Sequence, residues 1–248
     1  MHAVVGYHRP ESLEEALSLL DRGNPRTVVL AGGTSLNAIE STDPFEVIDL
    51  QSIGFDAIRT DGTMVEIGAM VRLDQLAAHP AVPQLLQELA RREGPNTLRN
   101  AATVGGTIAT ANPESELVAG CLVFAGQVIL AGLGGATRTV DLSELLADRS
   151  LIEGAIITTL RIATDGAAAA ARTGRTPSDT SIVAAVARRT NSGVRLALTG
   201  MTSAPILIDP DQVDTLQPPG DFRGSSEYRL HLARTLAARV VGQLAEQP

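Results

Sequence analysis

Residues 99–110 read RNAATVGGTIAT: two polar residues lead into alanines, a glycine pair and β-branched residues, with scarcely a side chain able to fill a core. A backbone kept this bare must lie against something that leaves no room for Cβ, another main chain or a flat ligand. Residues 31–36, AGGTSL, repeat the character earlier in the chain. Both read as glycine turns. Consecutive amide N–H groups in such turns form a concave nest able to hold a phosphate, with the Thr34 and Ser35 hydroxyls as further donors. Neither stretch fits G-x-G-x-x-G, and no G-x-x-x-x-G-K-[ST] occurs, which disfavours a Rossmann domain and a P-loop.

Working outward from these turns, PESLEEALSLLDRG predicts a helix capped by Ser12 with Glu15 completing a capping box, ended by Gly23. Strands are expected at residues 27–30 and 46–50, and again at 64–70. Helices follow in VRLDQLAAHP and in VPQLLQELARREG, where Pro83 suits the first turn. After the second glycine stretch, Asn112 reads as an N-cap with Pro113 at the first helical position, and that helix should end at Gly126. QVILAG resumes as a strand. From about Ile162 the composition becomes small and polar, and DGAAAAARTGRTPSDT reads as a linker or mobile loop. Beyond it, SIVAAVARR and VRLALTGM predict two paired strands around NSG. SSEYRLHLARTLAARVVGQLAEQ predicts an amphipathic helix, with Tyr228, Leu232, Leu236, Val240 and Leu244 as its apolar stripe.

Composition narrows the function classes. The chain has 248 residues, 44% hydrophobic, enough for one large domain or two smaller ones. It holds 20 basic and 28 acidic residues, a net charge of −8, so a polyanion would be repelled rather than steered in. Aromatics at 2% with no Trp offer no stacking platform for single-stranded nucleic acid. All 20 basic residues are arginine, which removes a P-loop lysine, a Schiff-base lysine and a lysine general base. A nest of amides is therefore the sensible way for this chain to hold a diphosphate. The single cysteine, Cys121, excludes an internal disulfide, a four-cysteine zinc site and an iron–sulfur cluster built by this chain alone. No run reaches membrane-span length and the N-terminus lacks the pattern of a signal peptide, so a cytoplasmic location is expected.

The remaining candidates read as structural. His2, His8, His79 and His231 have no metal-ligand spacing. Cys121 lies in an apolar helical run and reads as a buried small hydrophobe. Arg91 and Arg92 end a helix where cations are favourable, Arg188 and Arg189 belong to a strand end, and Glu114 and Glu116 suit a helix start.

Taken together, YHRPESLEEAL (Tyr7 to Leu17), VLAGGTSL (Val29 to Leu36), VIDL (Val47 to Leu50), IGAMVRLDQL (Ile67 to Leu76) and LRNAATVGGTIATANPESEL (Leu98 to Leu117) resemble the FAD-binding medium subunit of molybdenum hydroxylases. That family includes the carbon monoxide dehydrogenase medium subunit and the xanthine dehydrogenase FAD-binding subunit. The likeness runs in order over about residues 5–165, and GSSEYR, Gly224 to Arg229, resembles the family's C-terminal domain. The resemblance implies an α+β chain: a two-lobed PCMH domain of the vanillyl-alcohol-oxidase type over residues 1–165, with lobes of about 1–53 and 54–165, then a small α+β domain over 166–248. It implies FAD held by Leu30, Ala31, Gly32, Gly33, Thr34, Ser35 and Leu36 in a first loop. Ala102, Thr103, Gly105, Gly106, Thr110 and Glu116 match a second, and Ile157 and Arg172 match further cofactor positions. Departures are Ser35 and Glu116 where relatives carry aspartate, REGPNT at 92–97 near the flavin, and Arg172 where some relatives carry lysine. The partners implied are a molybdopterin-binding large subunit and a [2Fe-2S] small subunit. Electrons would leave to NAD, oxygen or a quinone. Two other readings stand beside this one: a stand-alone PCMH-fold flavin oxidoreductase, and a scaffold subunit that has lost FAD.

Overall fold

The computed structural model describes residues 4–36, 43–174, 176 and 179–246. The chain opens with strand β1 (Val4–His8), helix α1 (Leu13–Leu20) and strands β2 (Arg26–Leu30) and β3 (Phe45–Asp49). All three strands are parallel, with β3 in the middle. Ser12 caps α1 as its sequence predicts, accepting from the Glu15 N–H at 3.2 Å, while the Glu15 carboxylate reaches back to the Glu11 N–H. Ala16, Leu17 and Leu19 pack on Ile48 and Leu50, and this small core continues into Ala131 and Ile156 of the next sheet.

Next come β4 (Ile58–Asp61), β5 (Met64–Gly68), α2 (Leu73–Ala78), α3 (Gln84–Arg92), α4 (Asn96–Arg99), α5 (Val104–Thr110), α6 (Glu116–Val123), β6 (Gln127–Ala131), β7 (Thr137–Asp141), α7 (Leu142–Ala147) and β8 (Ile156–Ala163). Their strands form one five-stranded antiparallel sheet in the order β4-β5-β8-β6-β7. The last stretch supplies β9 (Ala167–Thr173), β10 (Val183–Thr190), β11 (Gly193–Leu198), β12 (Ile206–Ile208) and α8 (Ser226–Glu246). Its four strands form an antiparallel sheet. The expected hairpin is present, with Thr190 paired to Gly193. Leu236, Val240 and Leu244 of the predicted stripe are buried against that sheet, whereas Tyr228 stays largely exposed.

Three local expectations are corrected. The second glycine stretch is not a turn but the short helix α5. The helix expected from Pro113 starts three residues later: Ser115 caps α6 by accepting from Val118 N–H at 3.1 Å. Asn112 spends its side-chain oxygen on its own turn, accepting from Glu114 N–H at 3.0 Å, and α6 closes at Val123, before Gly126. Lastly, AAAAART within DGAAAAARTGRTPSDT is strand β9, not linker; residues 175, 177 and 178 of the stretch lie outside the described residues. Ala169 and Ala171 face α8, while Ala168 and Ala170 pack on the core of residues 65–162. Alternation is real in the surroundings and invisible in the letters, because both faces take the same small residue.

α6 lies between the two larger sheets, and all eight of its residues are buried. Each Leu or Val so enclosed contributes about 1.5–3 kcal/mol. The same core runs on into Val186 and Ala197 of the C-terminal sheet. Arginines of that sheet grip the last carbonyls of the helix: Arg188 Nη1 donates to Val123 O and Arg195 Nη2 to Leu122 O, each at 3.2 Å. Arg188, expected at a strand end without a functional role, lies near the end of β10, buried, paired with Asp165 at 2.5 Å and stacked over Phe124 at 5.1 Å.

Candidate functional site

Residues 31–36 leave the carboxyl end of β2, the usual side for ligands of parallel strands. Gly33 sits at φ +74°, a conformation that costs any other residue about 1–2 kcal/mol. Around it, the N–H groups of Gly32, Gly33 and Thr34 have no hydrogen-bond partner among the described residues. Partly buried donors left open in a concave turn are a ready anion cradle.

The second stretch meets the first directly. A Cβ added to Gly32 would lie 2.7 Å from the Ala101 carbonyl carbon and closer still to its oxygen. Thr110 Oγ1 donates to Ser35 Oγ at 3.0 Å. These two contacts bring together loops far apart in sequence. The amides of the second stretch, by contrast, are occupied: Val104 N–H donates to Val71 O at 2.9 Å, Gly105 N–H to Ala69 O at 2.8 Å, and Gly106 N–H to Thr103 Oγ1 at 3.1 Å. Gly105 is bare because Ala69 presses on it; an added Cβ would sit 2.7 Å from the Ala69 Cβ. At Gly106 the added Cβ would meet only Thr103 Oγ1, at 3.0 Å. So the protein's own backbone accounts for Gly32 and Gly105, and the space beside Gly106 is the freer one.

The other expected positions fall in two places. Leu30 ends β2 opposite Asp49, next to the cradle. Ala102 O accepts from Leu73 N–H at 3.0 Å, fixing the entry to α5, and Thr103 caps it. Ile157 is buried in β8 beside a bulge, and the neighbouring Thr158 O accepts from Ala69 N–H at 2.9 Å, so the floor beneath Gly105 hangs from that strand. Leu36 is half-buried at the end of the cradle. Glu116 and Arg172 instead meet each other, Arg172 Nε lying 2.8 Å from Glu116 Oε1, with Arg92 at 3.7 Å from Oε2. Glu116 is buried and heads α6, and Arg172 belongs to β9, so this pair joins the second sheet's helix to the C-terminal sheet.

Sequence reasoning missed three groups here. Arg149 Nη2 donates to Ala109 O at 2.5 Å, closing the C-terminal end of α5, and burial lowers its pKa. Arg99 Nη1 donates to Arg91 O at 2.8 Å and holds the approach to the stretch. Glu93 Oε2 accepts from Leu117 N–H at 3.3 Å, and burial raises its carboxyl above the ordinary value. Each acts across distance in sequence, and no local pattern marks it. Cys121 is inert as expected, its thiol pushed up to about 12 by burial.

A nest of open amides joined to a capped helix suits the diphosphate of a dinucleotide. A family model for the FAD binding domain in molybdopterin dehydrogenase matches residues 3–164. The chain belongs to that family. FAD is its cofactor, and the chain is an oxidoreductase subunit. Among similar proteins, the uncharacterized protein YgfM of Escherichia coli K12 is 30% identical across 94% of this chain and 93% of its own. The glyceraldehyde dehydrogenase medium chain of Sulfolobus acidocaldarius is 25% identical across 96% of this chain and 98% of its own. A solved carbon monoxide dehydrogenase from Hydrogenophaga pseudoflava, lacking the Mo-pyranopterin moiety of its cofactor, superposes with a TM-score of 0.88 over 99% of this chain and 98% of the matched one. At 23% identity that likeness speaks for the fold alone, which is α+β. Among the described residues no helix is long and apolar enough to cross a membrane.

Proposed function

We propose that the chain is the electron-transfer medium subunit of a molybdenum hydroxylase complex, working beside a molybdopterin-binding large subunit and a [2Fe-2S] small subunit. The observation that carries this reading is the set of open N–H groups at Gly32, Gly33 and Thr34, seated against Ala101 and tied to α5 through Ser35 and Thr110. These amides would hold the FAD diphosphate, and the side-chain-free surface near Gly106 would admit a flat group. FAD, when bound, supplies chemistry that takes up electrons singly and releases them in pairs. The chain needs no acid–base triad for this; its residues bind, orient and shield. Electrons would arrive from the partner's clusters and leave to NAD, oxygen or a quinone. The single cysteine of this chain fits that division, since it can build no cluster of its own.

Affinity purification of the tagged full-length chain from its own cells tests the reading. Bound FAD with a molybdenum-containing large subunit and an iron–sulfur small subunit is expected. A chain isolated without flavin, which also fails to bind added FAD in a fluorescence titration, would overturn it. FAD without the two partners would favour a stand-alone flavin oxidoreductase.

A further inference from the structure

Between α5 and α6 runs the turn of residues 111–115, and the C-terminal part of the chain grips it twice. Gly200 N–H donates to Pro113 O at 2.8 Å, and Arg223 Nη1 forms an ion pair with Glu114 Oε1. Arg223 is well anchored for this. Its Nη2 donates to Thr180 O at 2.7 Å and to Ser181 O at 2.9 Å. Its backbone N–H donates to Asp221 Oδ1 at 2.9 Å, and Asp221 Oδ2 accepts at 2.6 Å from Arg229, a buried side chain that also donates to Ile182 O and Gly200 O, each at 3.0 Å. The arm that carries Arg223 is thus a closed network of charge-assisted bonds. On the other side, Ala111 adopts φ +49° to make the turn, and Asn112 Oδ1 accepts from Glu114 N–H at 3.0 Å. One residue upstream stands Thr110, whose hydroxyl reaches Ser35 in the cradle.

We infer that the Arg223–Glu114 pair is a positioning pair for FAD, holding the turn 111–115 so that Thr110 presents its hydroxyl to Ser35 and keeps the cradle of residues 32–35 in its binding shape. The inference rests on the proposed cofactor site and goes beyond it, because it assigns a role in binding to Arg223, which precedes α8 in the C-terminal part of the chain, and to Glu114, neither of which touches a glycine stretch. A purely structural pair would affect folding and leave the cradle alone. A positioning pair acts through Thr110.

The test is a double-mutant cycle on FAD affinity in the full-length chain, read by flavin fluorescence, with thermal unfolding of each flavin-free variant as control. Arg223→Ala is expected to raise the FAD Kd about tenfold, the cost of one lost charge-assisted contact. Arg223→Lys should recover part of that loss. Thr110→Val alone should weaken binding by at least as much, about tenfold, because the pair acts only through that hydroxyl. The double variant should bind no more weakly than Arg223→Ala alone. Arg234→Ala, which breaks an exposed pair with Asp214 in the same region, should leave the Kd unchanged. If Arg223→Ala fails to fold, Glu114→Gln carries the test, because it spares the contacts of Arg223 with the Thr180 and Ser181 carbonyls. An unchanged Kd in the variants, or losses that simply multiply in the double variant, overturns the inference. A wild-type chain that binds no FAD overturns the cofactor reading itself, a separate outcome.

Discussion

In residues 31–36 three successive amides stand open, whereas in residues 102–110 those of Val104, Gly105 and Gly106 are taken by Val71, Ala69 and Thr103. Both stretches pair two glycines with small polar residues, so their letters alone do not separate them. What separates them is the next layer. The first leaves the end of β2, touches Ala101 at Gly32 and turns at Gly33 with positive φ, its amides turned to no acceptor among the described residues. The second is pinned to β5 and its neighbours, so its glycines serve close packing and a helix start. Glycine-rich composition therefore marks two tasks, donor display in one place and backbone contact in the other.

Substitutions can break this contrast, beginning with the junction. Gly32→Val would drive a branched side chain into the Ala101 carbonyl, and it should cost about 3 kcal/mol and abolish FAD retention, read by denaturant unfolding and flavin content. Gly105→Ala presses a methyl on Ala69 and should cost about 2 kcal/mol while shifting FAD affinity less than its stability. Gly33→Ala should cost about 1 kcal/mol through its φ, with a larger effect on FAD affinity than on melting temperature. Gly106→Val is the reverse of Gly105: it should change stability by under about 1 kcal/mol and yet strip FAD, because its Cβ meets only the Thr103 hydroxyl, at 3.0 Å, and no neighbouring main chain. Equal losses of stability at Gly105 and Gly106 would erase the distinction drawn between them.

The smallest effect concerns the joint where α6 begins. Burial raises the Glu93 carboxyl above its ordinary value, so the folded state holds that proton to higher pH than the unfolded chain does. Stability from this group is then greatest below the unfolded value and falls as pH climbs toward the folded one. Glu93→Gln should flatten that decline, seen as melting temperature against pH between about 4 and 7.

Much of this was legible in advance. Ser12 with Glu15, the Thr190–Gly193 hairpin and the stripe on α8 follow from local pattern, because capping, turn and periodicity act within a few residues. The two glycine stretches were legible as a pair, and the chain as a member of an FAD-binding family. Their different duties were not, since Ala69, Ala101 and Val71 act on them from other elements. β9 was misread because alanine on both faces erases the period, and the start of α6 because Asn112 and Ser115 are both good caps and only packing chooses between them. Arg149, Arg188 and Arg223 each grip carbonyls distant in sequence, which no motif announces.

α6 bears on how this protein can be dissected. Its N-terminal carboxylates and its C-terminal carbonyls are both held by guanidinium groups from beyond residue 165, and its flanks are apolar. Trimming the chain at the limit of the recognisable family segment would leave an oily rod with its ends untied. A shortened chain meant to keep α6 tied at both ends must therefore retain Arg172, Arg188, Arg195 and Arg223.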